Sequence, residues 1–594
     1  MPDSPDSISR RDLLKAAGAA AALPLVSRAT GPAGRPPQNL VLPLTSTSEV
    51  FVPPRGTAFQ KFSFDFPEPS VEYQGLRFAF QVFSRENAYG MSRERMDVRA
   101  EGDALTVTCS EFVWAGGQER AGGHLEARLR KNGDWLEWDV TASMDQAIKA
   151  VTTVVRGVPR GKLSFGGGAP VDTHDDEVLA GYPFGAGDLF GGNTAWSAAT
   201  PLAVVQQAGG ACFFLSSLDE LVRAKRFYFA PGERAYKVEC VFEVEGWLDR
   251  REVRVPTWRA GRTPTLEAAV QPHFDHVERA YRLPRFEGRP DAPAWLRETA
   301  LVLALHGMHY TGYVFNDYAR MLDILRWAGE EIPPARVLVF LPAWDGRYYW
   351  DYPVYRPAER LGGERGFAEL IREGQRLGFR FMPMFGANAA NRRQAAFAPL
   401  ADAATSRIDG DRFDITWVDW DNDRHQEGWL SYMNLGVDAW REFLAGRIAD
   451  VIGRYGVDAY FLDISGGWMN NTRADMHEGI RRLVADLAAR HPGVLACGEF
   501  LYDALAAILP LHHVYGPRYA PYVRAFSHLS HPAPGRGSSG VHESGFAWFD
   551  PDTLSLARRD GLIPTITVVD DTFGQHRDQM AAIIRRAKEW AGIV

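Results

Sequence analysis

One stretch constrains this chain more than any other: Gly456-Val457-Asp458-Ala459-Tyr460-Phe461-Leu462-Asp463-Ile464-Ser465-Gly466. The apolar run from Ala459 to Leu462 is too short for a helix and reads as a buried strand. It ends on a carboxylate, Asp463, before a loop containing Gly466 and Gly467. Upstream, Trp440, Phe443, Leu444, Ile448, Val451, Ile452 and Tyr455 recur at helical spacing between Asp438 and Tyr455. Downstream, Ala474 to Arg490 is again helical and stops at His491-Pro492-Gly493. A second apolar run, Val494 to Cys497, then ends on Gly498-Glu499. The pattern is helix, strand with terminal Asp, helix, strand with terminal Glu. The same alternation extends on both sides. Strands are expected at Leu301 to Leu305, Val337 to Leu341, Arg380 to Met384, His512 to Tyr515, Phe546 to Phe549 and Pro564 to Val569. Helices are expected at Asp317 to Trp327, Glu364 to Leu377 and Gln575 to Ile593. Alternation over about 300 residues predicts a (β/α)8 TIM barrel, residues 287–594, with a lid inserted at 391–437. In such a barrel the two acidic strand ends share the face where chemistry occurs.

A chain of 594 residues is too long for one core. From 40 to 286 no helical period persists. Short alternating runs such as Ala104 to Cys109 and Leu136 to Thr141 are separated by turn clusters, Lys131-Asn132-Gly133-Asp134 among them. That segment is expected to be an all-β sandwich. Before it, residues 30–39 are rich in Pro and Gly and read as a disordered linker. Residues 1–29 carry Ser9-Arg10-Arg11-Asp12-Leu13-Leu14-Lys15 and the apolar run Ala16 to Val26, then Ser27-Arg28-Ala29. This resembles a twin-arginine export signal, and the run is too short to span a bilayer. The expected location is therefore periplasmic or secreted, with no membrane insertion once the signal is removed. A net charge of -8 gives no reason to expect nucleic acid as partner. Cys109, Cys212, Cys240 and Cys497 lack metal-ligand spacing and read as buried small hydrophobes.

Polar and aromatic residues recur after the expected barrel strands: His306 and His309, Trp344 and Asp345, Asn388, Asp463, Trp468, Glu499, Asp570 and Asp571. Hydrolysis of a glycosidic bond needs two carboxyl groups, one to protonate the leaving oxygen and one to attack the anomeric carbon or activate water. Asp463 on strand four is expected to be the nucleophile and Glu499 on strand five the acid/base. Asp345, Asp351, Asp570 and Asp571 are candidate acceptors for sugar hydroxyls. His306, His309, Asn388, Trp344, Trp420 and Trp468 are candidate substrate contacts, since apolar faces of sugar rings stack on aromatic faces.

On these residues the chain resembles retaining glycoside hydrolases of the α-amylase type, and more closely endo-α-N-acetylgalactosaminidase-like barrels with an N-terminal β-sandwich. The resemblance rests on Asp463, on Gly498-Glu499 and on the run Trp344-Asp345-Gly346-Arg347-Tyr348-Tyr349-Trp350-Asp351-Tyr352-Pro353. It implies that Asp463 attacks, that Glu499 protonates, that the strand-two loop lines the site and that the substrate is an α-linked oligosaccharide or glycoconjugate. Two departures separate the chain from the amylases: Phe461 stands where their Arg precedes the nucleophile, and Asp570-Asp571 replaces their late His-Asp. The α-galactosidase type takes its acid from an Asp on strand six. Here that strand runs out at Tyr515-Gly516, which favours Glu499.

The insertion holds Trp417-Val418-Asp419-Trp420-Asp421-Asn422-Asp423-Arg424. Aspartates at alternate positions suit a loose Ca²⁺ loop, but Arg424 and Leu430 stand where an EF-hand needs Gly and an acid. The preferred reading is a sugar-stacking lid, with no cofactor and no metal site. Two other readings stay open. One is a barrel that binds glycan without cleaving it, and the other a metal-assisted hydrolase using His306, His309 and a carboxylate. A carboxyl separation beyond roughly 10 Å would favour the binder, being wider than either hydrolytic geometry.

Overall fold

The computed structural model describes residues 40–41, 69–114, 119–173, 175–183, 196–309, 311–408, 410, 412, 414–415, 429–499, 502–513, 528–532, 562–569 and 572–593. The expected export signal, the linker, residues 416–428 of the lid, the strand at 546–549, and Trp420, Asp570 and Asp571 lie outside these residues.

The expected fold class requires correction on both halves. The N-terminal region is one continuous hydrogen-bonded sheet of 17 strands, almost wholly antiparallel, rather than two sheets facing each other. Its long strands explain this. Glu119–Asn132 is 14 residues and Glu252–Thr263 is 12, and register shifts between Cys109 and Glu111 and between Val255 and Trp258 mark bulges. A bulge bends a strand and raises its twist, so the sheet curls while its ladder stays unbroken. Among the described residues the protein is mostly β, 39% strand against 29% helix.

In the C-terminal region eight parallel strands close into a ring: Leu301–Leu305, Val337–Leu341, Arg380–Gly386, Ala459–Asp463, Leu495–Glu499, Leu511–His513, His528–Pro532 and Ile563–Val568. Among the described residues strand–helix alternation does not persist around this ring, and the molecule is not a (β/α)8 barrel. Strand five leads to strand six through a single 3-10 turn, Asp503–Ala507. The apolar segment there is short and Pro510 cuts it off before a helix can propagate. Between strands three and four lies a small antiparallel sheet of Ala389–Asn391, Asp414–Ile415 and Leu430–Tyr432.

Where helices do form, local chemistry accounts for them. Asp438–Tyr455 buries Trp440, Leu444, Ala445, Ile448, Val451 and Ile452, and each fully buried aliphatic is worth about 1.5–3 kcal/mol over exposure. The helix stops at Gly456, whose φ of 66° is left-handed and cheap only for glycine. Asp475 caps Met476–Arg490 by accepting from His477 N–H (2.9 Å) and Glu478 N–H (3.2 Å). Among the described residues no helix is long and apolar enough to cross a membrane.

The large sheet braces the loops that follow ring strands four and five. Asp503 accepts from Tyr182 Oη and from Thr200 Oγ1, both at 2.7 Å, and its own N–H donates to Ala199 O at 2.7 Å. Asn470 donates to Val244 O (2.8 Å) and accepts from Gly246 N–H (2.7 Å). Cys109, Cys212, Cys240 and Cys497 are all buried and none forms a disulfide.

Candidate active site

The backbone register sets the site. Gly386 pairs with Asp463, Leu462 with Gly498 and Glu499 with His513, so four adjacent strand ends stand at one level. Side chains at matched positions of neighbouring parallel strands point the same way. Asp463 and Glu499 are therefore thrown together: both are buried, and each carboxyl acts on the other.

The loop after strand four wraps around Glu499. Ile464 N–H donates to Glu499 Oε2 at 2.9 Å. Ser465 Oγ donates to Glu499 O at 3.2 Å and accepts from Glu499 N–H at 3.0 Å. Gly466 N–H donates to the same carbonyl at 2.8 Å. There is no room for a side chain at position 498, where a Cβ would lie 2.5 Å from Ser465 Oγ. Four of the seven left-handed non-glycine residues in the described structure sit in the loops around the pair: Ala343 (φ 50°), Tyr349 (57°), Tyr355 (49°) and Ile464 (59°). Such backbone costs roughly 1–3 kcal/mol per residue and persists where the surroundings impose it. For β-branched Ile464 it is a true outlier, and it presents the amide that Glu499 accepts.

Burial pushes the Asp463 carboxyl well above the usual carboxylate range, and the neighbouring Glu499 pushes it further. Hydrogen bonds from Tyr349 and from the Ile464 backbone act the other way. Asp463 Oδ2 has no hydrogen-bond partner. Several other buried polar atoms nearby are also unpartnered: Asp345 Oδ2, Tyr352 Oη, Asn388 Oδ1 and Trp468 Nε1. A gathering of unsatisfied buried donors and acceptors at one end of a ring is what a hydroxyl-rich ligand would complete.

Asp345 is raised to about 8, first by burial and then by Asp351, while backbone hydrogen bonds partly oppose the shift. The folded chain thus keeps a proton that the unfolded chain releases above the ordinary carboxylate range. Stability from this group is full at low pH and is lost as pH rises toward about 8. Asp345→Asn is expected to stabilise the protein increasingly with pH, by on the order of a few kcal/mol at pH 8 and little at pH 4. Urea unfolding of wild type and variant across that range checks it, and parallel curves would contradict the assignment.

The sequence-predicted residues fall into three groups. Asp463, Glu499, Asp345, Asn388 and Trp468 are buried around the strand ends. Asn388 Nδ2 donates to Ile464 O (3.0 Å), Gly467 O (3.4 Å) and Tyr432 Oη (3.3 Å), fixing the loop after strand four. His306 lies at the rim, its ring 5.3 Å from that of Tyr348, and His309 Nδ1 is 2.9 Å from Thr311 Oγ1. Among the described residues no three His, Cys, Asp or Glu side chains gather as a metal site. Trp344 and Asp351 face other tasks. Trp344 stacks on Phe367 (4.8 Å) and donates from Nε1 to Met384 O (2.9 Å), inside the core. Asp351 Oδ2 accepts from Arg347 N–H (2.7 Å) and Oδ1 from Gln394 (3.3 Å), closing the strand-two loop on itself. Sequence reasoning named that loop but not its tyrosines. Tyr349, Tyr352 and Tyr355 are buried beside the carboxyls, with Tyr432 from the inserted sheet. Their density, four tyrosines in Tyr348 to Tyr355, was the available signal.

Residues 7–27 match the TAT (twin-arginine translocation) pathway signal sequence family. The chain carries a twin-arginine signal. That signal supports export by the twin-arginine pathway. No curated protein matches the sequence. Among solved structures the chain is similar to the α-N-acetylgalactosaminidase NagBb from Bifidobacterium bifidum. With its GalNAc complex it shares 16% identity at a TM-score of 0.63, over 90% of this chain and 91% of that one. With the Gal-NHAc-DNJ complex the figures are 15%, 0.62, 90% and 91%. At such identity the likeness is one of fold, and it spans sheet and ring together.

Proposed function

We propose that this protein is an exported retaining glycoside hydrolase acting, in the periplasm or outside the cell, on α-linked oligosaccharides or glycoconjugates. The observation that carries the reading is the buried Asp463–Glu499 pair at adjacent strand ends. Two carboxyls that close cannot both ionise, so one is held as an acid and the other as a base or nucleophile at neutral pH. Their adjacency suits the separation of a retaining pair, about 5–5.5 Å, better than that of an inverting one, about 6.5–9.5 Å.

In the first step Asp463 attacks the anomeric carbon as the glycosidic C–O bond breaks, and the Glu499 proton passes to the leaving oxygen. In the second, Glu499 takes a proton from water, whose oxygen displaces Asp463 from the sugar. Asp345, Tyr352, Asn388 and Trp468 supply unpartnered polar atoms to meet sugar hydroxyls or an amide. The solved proteins of like fold are named α-N-acetylgalactosaminidase, which makes terminal α-linked N-acetylgalactosamine the first sugar to test. A panel of nitrophenyl α- and β-glycosides, followed by proton NMR of the first sugar released, provides that test. Release of the α-anomer from an α-glycoside is expected. Initial release of the β-anomer would overturn retention, and a panel left wholly uncleaved would overturn the hydrolase reading.

A further inference from the structure

We propose that Asp503 is a positioning residue for Glu499: its carboxylate, held by two hydroxyls of the large sheet, fixes the exit of strand five and with it the acid/base. The inference rests on the hydrolase reading and gives the sheet a part in the reaction.

Strand five, Leu495–Glu499, needs such a hold. The loop after strand four leads into the capped helix Met476–Arg490, whose buried face anchors it. Among the described residues, strand five is followed only by the 3-10 turn Asp503–Ala507. So short a turn buries little apolar surface, and directional bonds take over the anchoring. Buried Arg289 donates from Nη1 to Ala506 O at 2.9 Å and pins the far end of the turn. Tyr502 Oη lies 2.8 Å from His477 Nδ1, which ties the near end to the helix after strand four. Asp503 supplies the tie to the sheet. Its N–H donates to Ala199 O at 2.7 Å, and its Oδ2 accepts from Thr200 Oγ1 at 2.7 Å. Its Oδ1 accepts from Tyr182 Oη and from Ala504 N–H, each at 2.7 Å. The two hydroxyl bonds span 303 and 321 residues of chain, so no local preference creates them.

The direction of each proton follows. Burial raises the Asp503 carboxyl to about 6, while its three donors and the Lys225 charge hold it back, so it is ionised at neutral pH. A carboxylate only accepts, so the single Thr200 hydroxyl proton goes to Asp503. The Thr200 oxygen also lies 2.6 Å from His273 Nε2 and must accept from it. His273 is then protonated on Nε2, and Nδ1, buried without a hydrogen-bond partner, is the bare nitrogen. Burial pushes this imidazole down to about 3 and keeps it neutral. Glu499 stands four residues before Asp503. A shift of about 1 Å imposed from far outside a site can cost about 10²-fold. The loop after strand four has its own tie to the sheet through Asn470, so loosening Asp503 moves the acid rather than the nucleophile.

Thr200→Val deletes one donor and keeps the shape, and Thr200→Ser restores the hydroxyl. Asp503→Asn presents an amide nitrogen where a hydroxyl now meets an acceptor. The readout is kcat/KM on an alkyl and on a dinitrophenyl α-glycoside of one sugar. Thr200→Val and Asp503→Asn are expected to lose about 10- to 100-fold with the alkyl leaving group. With dinitrophenyl, which departs without a proton, they should stay near wild type. Thr200→Ser should recover the alkyl rate. Where Asp503→Asn does not fold, Tyr182→Phe, which removes the other hydroxyl donor, takes its place. Nitrogen-15 NMR of histidine-labelled protein reads the hydrogen-bond chain without turnover, and His273 should carry its proton on Nε2 at neutral pH. A proton on Nδ1 instead overturns the chain. A folded Thr200→Val with no loss, or a loss equal for both leaving groups, overturns the positioning role even if the wild type is a glycosidase. A wild type that cleaves no glycoside overturns the hydrolase reading itself, and this role with it.

Discussion

Asp463→Asn is expected to reduce kcat on nitrophenyl α-glycosides by upwards of about 10⁴-fold, the order lost when a covalent nucleophile is removed. The amide matches the carboxyl in shape but cannot form the glycosyl ester. Stability should not fall with activity. The native carboxyl is buried beside Glu499 and held well above the ordinary range, so a neutral group of the same size relieves repulsion. Unfolding temperature is expected to stay level or rise as turnover collapses. Calorimetry alongside nitrophenol release separates the two effects. A variant with wild-type rates would show that Asp463 is no nucleophile, and one that fails to fold would show that its carboxyl is needed structurally.

Glu499→Gln has a different signature. General acid catalysis contributes about 10²- to 10⁴-fold, but only where the leaving group needs a proton. The loss should be near the top of that range for an alkyl or sugar leaving group. It should be slight for the first step with dinitrophenyl glycosides, which leave as stable anions. The basic limb of the pH profile, set by loss of the acid proton, should vanish with the carboxyl. A loss equal across all leaving groups would place Glu499 outside proton transfer. In that case its bonds to Ile464 and Ser465 would mark it as a brace for the loop after strand four.

The strands that carry the candidate carboxyl pair were legible because both their faces are buried. Ala459–Asp463 and Leu495–Glu499 read as continuous apolar runs closed by an acid, and the structure places them side by side. Helices with strong caps, such as the one behind Asp475, were equally plain. Sheet continuity was not, since bulges and edge pairings depend on residues far apart in sequence. No helix was legible between strands five and six, and Asp503–Ala507 forms only a 3-10 turn there before Pro510. Trp344 looked like a sugar platform because it opens a polar loop, but its ring and its N–H both find partners in the core. Tyr349 escaped notice for the opposite reason: its left-handed backbone leaves no periodic trace.

The buried thiols have a consequence for how the molecule matures. Twin-arginine translocation carries proteins that have already folded. Cys109, Cys212, Cys240 and Cys497 are thus already sealed within finished cores when the chain is exported. Such a chain can dispense with disulfide isomerases on the far side of the membrane, and its sulfur chemistry stays silent for the lifetime of the fold.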